Sequence, residues 1–215
     1  MTEAAPAVHT KPAIAGLYAI ADSTYLSPER QGPAVAEAIA GGARVLQYRD
    51  KHNSADVRAR IAGELVALCR RHGIPLIVND DPTLAQLVRA HGVHLGRDDT
   101  DVAGARRLLG AHALIGVSCY NDLARAHSAE RAGADYVAFG SFYPSPTKPH
   151  ALRADLELLR TARAALRVPI VAIGGITPEN GAAPIAAGSD ALAVIEGVFG
   201  QPDIHAAAAR YARLF

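Results

Sequence analysis

Short apolar runs alternate with longer amphipathic stretches along the whole chain. Apolar runs at residues 17–21, 45–48, 76–78, 92–95, 114–117, 136–139, 170–173 and 191–195 recur at even spacing, and their shortness suits buried strands better than helices. Between them, apolar positions return at helical spacing over 34–40, 54–71, 82–90, 102–109, 123–132, 156–166 and 179–187, with a last such stretch at 204–214. The pattern predicts eight strand and helix units. Gly41, Gly73, Gly92, Gly110, Gly133 and Gly188 stand where these helices should end, as expected where the chain leaves a helix at positive φ. Residues 1–13 follow neither period and are expected to form a flexible tail, which leaves 14–215 as one catalytic domain.

Eight βα units without a linker favour a closed barrel over an open doubly wound sheet, and the polar residues sharpen the choice. Asp22, Gln47, Arg49, Lys51, Asn79, Asp80, Asp98, Asp99, Ser118, Ser145, Thr147, Lys148, Gly174, Gly175 and Glu196 all fall at or just beyond the C-terminal ends of the predicted strands. A closed barrel gathers those ends on one face, whereas an open sheet scatters them. The expected fold is therefore α/β, a single-domain (β/α)8 TIM barrel with one polar pocket at its mouth. Tyr18 and Asp22, on the first strand, face that same mouth.

Chemistry concentrates in four places. In Gln47-Tyr48-Arg49-Asp50-Lys51, alternation along an extended segment turns Gln47, Arg49 and Lys51 to one side and Tyr48 and Asp50 to the other. One amide and two cations on a face suit a heterocycle edge and a phosphate, although a solvated strand end would look the same. The chain has 19 arginines and three lysines; two of the lysines, Lys51 and Lys148, lie at predicted strand ends or loops, where a compact ammonium suits a polyphosphate. Asn79-Asp80 and Asp98-Asp99 end neighbouring strands, and such carboxylates can hold Mg2+ together with water and phosphate oxygens. Asp81, Asp98 or Asp99 would serve equally well as helix N-caps.

The segment 140–149, rich in proline and hydroxyl residues, reads as a binding loop or a stiffened turn. Its Ser145 and Thr147 can donate to a phosphate and Lys148 can add charge. Gly174-Gly175 after the seventh strand and Ile195-Glu196 after the eighth occupy the usual phosphate position of such barrels. Of nine histidines, none has metal-binding spacing with another, and His94 reads as an inward-packed core residue. Ser118 has no adjacent histidine and no nucleophile-elbow frame, which argues against a serine hydrolase.

The bulk numbers narrow the function. A net charge of +1 over 215 residues provides no footprint for nucleic acid or an anionic membrane, so small molecules are the expected partners. Two cysteines, no apolar run of membrane length and no secretory core point to a reduced, cytoplasmic location. The sequence leaves self-association open, with a homodimer or homotrimer as the guess.

Taken in order, QYRDK at 47–51, VNDD at 78–81, GVHLGRDD at 92–99, IGVSCYN at 115–121, GADYVAFGSFYPSPTKP at 133–149 and VAIGGIT at 171–177 resemble the thiamine phosphate synthase family across nearly the whole chain. The resemblance implies a Mg2+-dependent transferase that passes a 4-amino-2-methylpyrimidin-5-ylmethyl group from its diphosphate to the nitrogen of a thiazole phosphate or its carboxylate, giving thiamine phosphate and pyrophosphate. By position it implies that Gln47, Arg49, Lys51, Asn79, Ser118 and Lys148 bind the pyrimidine diphosphate, and that Asp80 and Asp99 bind Mg2+. It places Ser145, Thr147, Gly175, Ile195 and Glu196 at the thiazole phosphate. Ser118, Lys148, Arg49 and Lys51 would be the catalytic residues. An electron-rich aminopyrimidine stabilises a methylene cation, so a dissociative route needs no protein nucleophile, and cations stabilise the departing pyrophosphate.

Three positions depart from the family pattern. Ser145 replaces a threonine, Arg97 stands where glutamine is usual, and Glu196 stands where serine is common. A carboxylate near a phosphate repels it unless the side chain turns away and only the backbone N–H binds. Two rival readings remain: a thiazole tautomerase-like isomerase, whose family lacks the full diphosphate and metal set retained here, and a non-catalytic thiamine phosphate sensor.

Overall fold

The protein was analysed as a computed structural model that describes residues 11–97, 99, 101–144 and 152–215. All eight expected strands form: β1 (Gly16–Asp22), β2 (Ala43–Arg49), β3 (Leu76–Asn79), β4 (Gly92–Leu95), β5 (Leu114–Tyr120), β6 (Tyr136–Phe139), β7 (Ile170–Ile173) and β8 (Ala191–Val194). They pair in parallel in sequence order, and β1 closes onto β8. The helices are α1 (Gln31–Ala40), α2 (Ala55–Arg71), α3 (Pro82–Leu87), α4 (Val102–Leu109), α5 (Leu123–Arg131), α6 (Leu156–Ala165), α7 (Ala182–Ala186), α8 (Glu196–Phe199) and α9 (Ile204–Ala212). Among the described residues no helix is long and apolar enough to cross a membrane.

Strand alternation divides the buried residues into two cores. One set of positions, with Tyr18, Ile20, Val45, Ile77, Leu114, Tyr136, Val171 and Ala191, fills the barrel. The alternate set, including Leu17, Leu46, Tyr48, Leu76, Val93, Ile115, Val137 and Leu192, packs outward against the helices. Burial on both faces is what parallel strands require, and it explains why each run reads as continuously apolar.

Aspartates start most of the helices. Asp81, Asp101, Asp122, Asp155 and Asp203 each accept a backbone N–H at the first turn of α3, α4, α5, α6 and α9, and Ser54 does so for α2; each such cap stabilises by ~0.5–2 kcal/mol. Asp81 is thus a cap as well as a neighbour of the site. The cap of α4 is Asp101, so Asp99 is released from that role, and Asp98 lies outside the described residues.

Several expected boundaries move. Helix α1 begins at Gln31, ahead of the expected residue 34, because Gly32 and Pro33 fall in its first turn, where proline costs no helical hydrogen bond. Helix α7 is shorter than expected, and β8 stops at Val194, with Ile195 leading into the unexpected α8. Of the expected helix-ending glycines, Gly41 does cap α1, though the positive φ falls on Gly42, and Gly92 is misplaced. Gly92 opens β4 and is needed for close approach, since a Cβ there would lie 1.9 Å from the Leu114 carbonyl oxygen. Of the expected tail, residues 1–10 lie outside the described residues, and Lys11 pairs with Asp135 at 2.5 Å.

Candidate active site

The C-terminal mouth of the barrel opens into a cavity of about 860 Å³. Gln47, Arg49, Asn79, Ser118, Gly175, Ile195 and Glu196 all line it, as do Tyr18, His94, Arg97 and Tyr136. A second hollow of about 450 Å³, lined by Lys51, Asn53, Arg58, Asn79 and Asp80, shares Asn79 with the first. Ser145, Thr147 and Lys148 lie outside the described residues.

The turn after β2 behaves as alternation requires. Tyr48 is buried in the outer core and donates to Asp50 at 2.7 Å. Asp50 also accepts from the backbone N–H groups of His52 and Asn53 at 3.0 and 3.1 Å and from the Asn53 amide at 2.9 Å. These bonds, with that from Tyr48, outweigh the effect of burial and hold the Asp50 carboxyl well below the usual carboxylate range, and they fix the loop that carries Lys51. Arg49 pairs with Asp22, which is only 1% exposed, and Lys51 pairs with Asp80. Both cations are therefore held in place by acids at the mouth, where an anionic ligand would have to compete with those acids for them.

Asp80 sits in left-handed backbone geometry at φ 62, a conformation that costs a non-glycine residue ~1–3 kcal/mol and collects at functional sites. Its N–H donates to the His94 carbonyl at 2.8 Å, which ties the β3 turn to β4. Asp99 reaches the same place from the β4 loop, accepting the Gly96 N–H at 2.5 Å. Burial and the nearby Asp80 push the Asp99 carboxyl up; burial also opposes ionisation of Asp80, but Lys51 and Asp99 outweigh it and hold that carboxyl low. Among the described residues no cluster of three or more metal-ligating side chains forms. Two neighbouring carboxylates are still a donor set that a hard divalent cation satisfies, with water and ligand oxygens completing its shell.

Inside the barrel, side chains missed by sequence reasoning join those it identified. Gln47 donates through Nε2 to the Tyr18 hydroxyl at 2.8 Å, and the Tyr18 and Tyr136 hydroxyls lie 2.9 Å apart. His94 places Nδ1 3.1 Å from the Tyr136 hydroxyl and Nε2 2.9 Å from Ser118 Oγ. Ser118 thus has a histidine neighbour after all, supplied by the preceding strand β4. His94 points inward, as expected, and is 8% exposed. Tyr136, which sequence reasoning missed, carried a signal available in the sequence: like Tyr18, already expected at the mouth, it has a hydroxyl at an inward strand position, where a polar group needs a partner.

On the far side, Gly174 and Gly175 both have positive φ, and a Cβ on either would strike Ser141 Oγ at 2.2 Å or the Pro144 carbonyl at 2.3 Å. The loop after β6 is thereby packed onto the loop after β7, with Tyr143 N donating to the Gly174 carbonyl at 2.9 Å. Arg97 lies 4.7 Å from the centre of the Tyr120 ring at the rim, a cation–π arrangement.

The sequence profile of the family described as thiamine monophosphate synthase matches residues 17–198. The thiamine-phosphate synthase of Nitrosococcus oceani is 55% identical over 202 residues, covering 94% of this chain and 93% of the relative. That of Thiobacillus denitrificans is 54% identical, covering 93% and 94%. Among solved structures, the thiamine phosphate pyrophosphorylase from Pyrococcus furiosus superposes with a TM-score of 0.83 at 34% identity, covering 93% of this chain and 94% of that one.

Proposed function

We propose, for a chain that belongs to the thiamine monophosphate synthase family, that the barrel mouth joins an aminopyrimidine diphosphate to a thiazole phosphate. The protein is a thiamine phosphate synthase, a transferase of thiamine biosynthesis. In the dissociative route, the C–O bond to the diphosphate breaks and its electron pair leaves with pyrophosphate. The thiazole nitrogen then gives its lone pair to the ring methylene to form the C–N bond. The observation that carries this reading is the convergence of Gln47, Arg49, Asn79 and Ser118 on one cavity, with Lys51 and Asp80 at its edge.

In this reading Gln47 and Ser118 hold the pyrimidine ring, while Arg49, Lys51, Asn79 and Lys148 hold the diphosphate. Fixed cations aimed at the leaving group need no reorganisation when charge develops there, which is where such sites gain most of their rate. Asp80 and Asp99 would hold Mg2+, which would supply further charge neutralisation at the diphosphate. Gly175 and Ile195, with Ser145 and Thr147, would form the thiazole phosphate pocket. Glu196 belongs to that pocket through its backbone, because its carboxylate would repel a phosphate. The cavity walls, with Tyr18, Ile20, Tyr136, Ala138 and Val171, exclude water that would otherwise capture the cation.

The metal assignment is tested by the Mg2+ dependence of turnover in Asp99→Asn and Asp80→Asn. Either variant should raise the Mg2+ needed for half-maximal rate by at least about tenfold, the lower end of what even outer-shell changes cost metal sites. Asp101→Asn, which alters only the α4 cap, should leave it unchanged. An unaltered Mg2+ requirement in both site variants would remove the pair from the metal site.

A further inference from the structure

We propose that Tyr18, Tyr136 and His94 are positioning residues that fix Ser118 as a hydrogen-bond donor and the Gln47 carbonyl as an acceptor, so that the site selects a heterocycle by the polarity of its edge. The proposal rests on the synthase reading for its substrate class.

The argument follows the proton along one chain of side chains. Gln47 Nε2 can only donate, and it gives its hydrogen to the Tyr18 oxygen at 2.8 Å. With the Gln47 hydrogen on its oxygen, Tyr18 has the Tyr136 hydroxyl, 2.9 Å away, as an acceptor for its own single hydrogen, and we assign Tyr136 in turn as donor to His94 Nδ1, 3.1 Å away. A neutral imidazole that accepts at Nδ1 carries its proton on Nε2. That N–H donates to Ser118 Oγ at 2.9 Å, which leaves the serine hydrogen to be offered to a ligand. At the other end, the Gln47 amide oxygen stays available as an acceptor.

The chain is buried up to its partly exposed serine end, with Tyr136 at 0%, Tyr18 at 1%, Gln47 at 3% and His94 at 8% exposure. Burial pushes both phenols further above their ordinary range, so each keeps the one hydrogen that the argument needs. In such a setting an unmade bond is costly, and reversing one link forces the reversal of all of them. An aminopyrimidine presents an N–H beside a ring nitrogen acceptor, which complements an acceptor at Gln47 and a donor at Ser118. A 4-oxopyrimidine presents the opposite pair and requires the chain to turn over, including a change of imidazole tautomer.

Two readouts on the intact chain test this. In 15N spectra of the ligand-free protein, with the His94 signals assigned by their loss in His94→Asn, His94 should be the Nε2–H tautomer. Tyr136→Phe should abolish that preference while the protein still unfolds cooperatively. Next, the ratio of Kd values for the 4-oxo and 4-amino pyrimidine diphosphates, measured without thiazole phosphate, should fall about fivefold or more in Tyr136→Phe, the scale of one lost hydrogen bond. An Nδ1–H or doubly protonated His94 would overturn the proposal, as would an unchanged Kd ratio. Because the spectrum is read without turnover, its failure is distinguishable from failure of the synthase assignment.

Discussion

Gly116 is where fold and site depend most sharply on one missing methyl group. It pairs with His94 on one side and Tyr136 on the other, and the rings of those residues approach to 5.5 Å across it. A Cβ at position 116 would lie 2.0 Å from Tyr136 Cζ and 2.4 Å from its hydroxyl oxygen. Comfortable carbon contacts need roughly 3.5–4.0 Å, so Gly116→Ala must drive the ring back by about 1.5 Å in a filled barrel. Overpacking of this kind costs ~1–3 kcal/mol, and each of the two hydrogen bonds to Tyr136 that it strains is worth about 1 kcal/mol. The expected total is about 3 kcal/mol, or about 6–12 °C in Tm for a chain of this size. Urea melts of Gly116→Ala, Tyr136→Leu and the double variant provide the assay. With the ring gone, alanine at 116 should cost less than about 1 kcal/mol, leaving a large coupling energy. An equal cost in both backgrounds, or a single variant within about 0.5 kcal/mol of the parent, would refute the reasoning.

Two further predictions concern titratable groups. His91 Nδ1 accepts the Leu76 N–H at 3.0 Å, and burial, with Arg70 nearby, lowers its pKa. The unfolded chain therefore binds the proton more readily, and stability should fall as pH drops below the ordinary histidine value of about 6.5. His91→Gln, which can accept the same N–H without titrating, should flatten that part of the urea-melt pH profile; parallel profiles would count against it. Burial pushes the Cys69 and Cys119 thiols up to about 12, so both should resist a thiol reagent at pH 7.5 until the protein unfolds. Rapid labelling of the native protein would contradict this burial.

The strand positions were legible in the sequence because parallel strands buried on both faces must be apolar throughout, and every run from residue 17 to residue 195 marked one. Helix ends were less so. Pro33 looks like a break yet is tolerated in a first turn, and α8, at four residues, is too short to express a period. Strand alternation was enough to place Gln47 and Arg49 on one side, whereas Lys51, beyond the end of β2, lines the second hollow together with Asp50. The contact between His94 and Ser118 was hidden because it depends on register: His94 pairs with Gly116, which puts Ser118 two residues further along the same inward face. The Asp22–Arg49 pair follows from register in the same way. Asp81, by contrast, did become a helix cap, as its place before Pro82 suggested.

The measurement that tests the central claim most directly is pyrophosphate release by the purified protein, given aminopyrimidine diphosphate and thiazole phosphate with and without Mg2+, alongside Lys51→Ala. The account predicts Mg2+-dependent release, with thiamine phosphate formed in equal amount, and a large loss in the variant, whose ammonium no longer faces the leaving group. Binding of thiazole phosphate without any release of pyrophosphate would contradict it and favour an isomerase or a sensor.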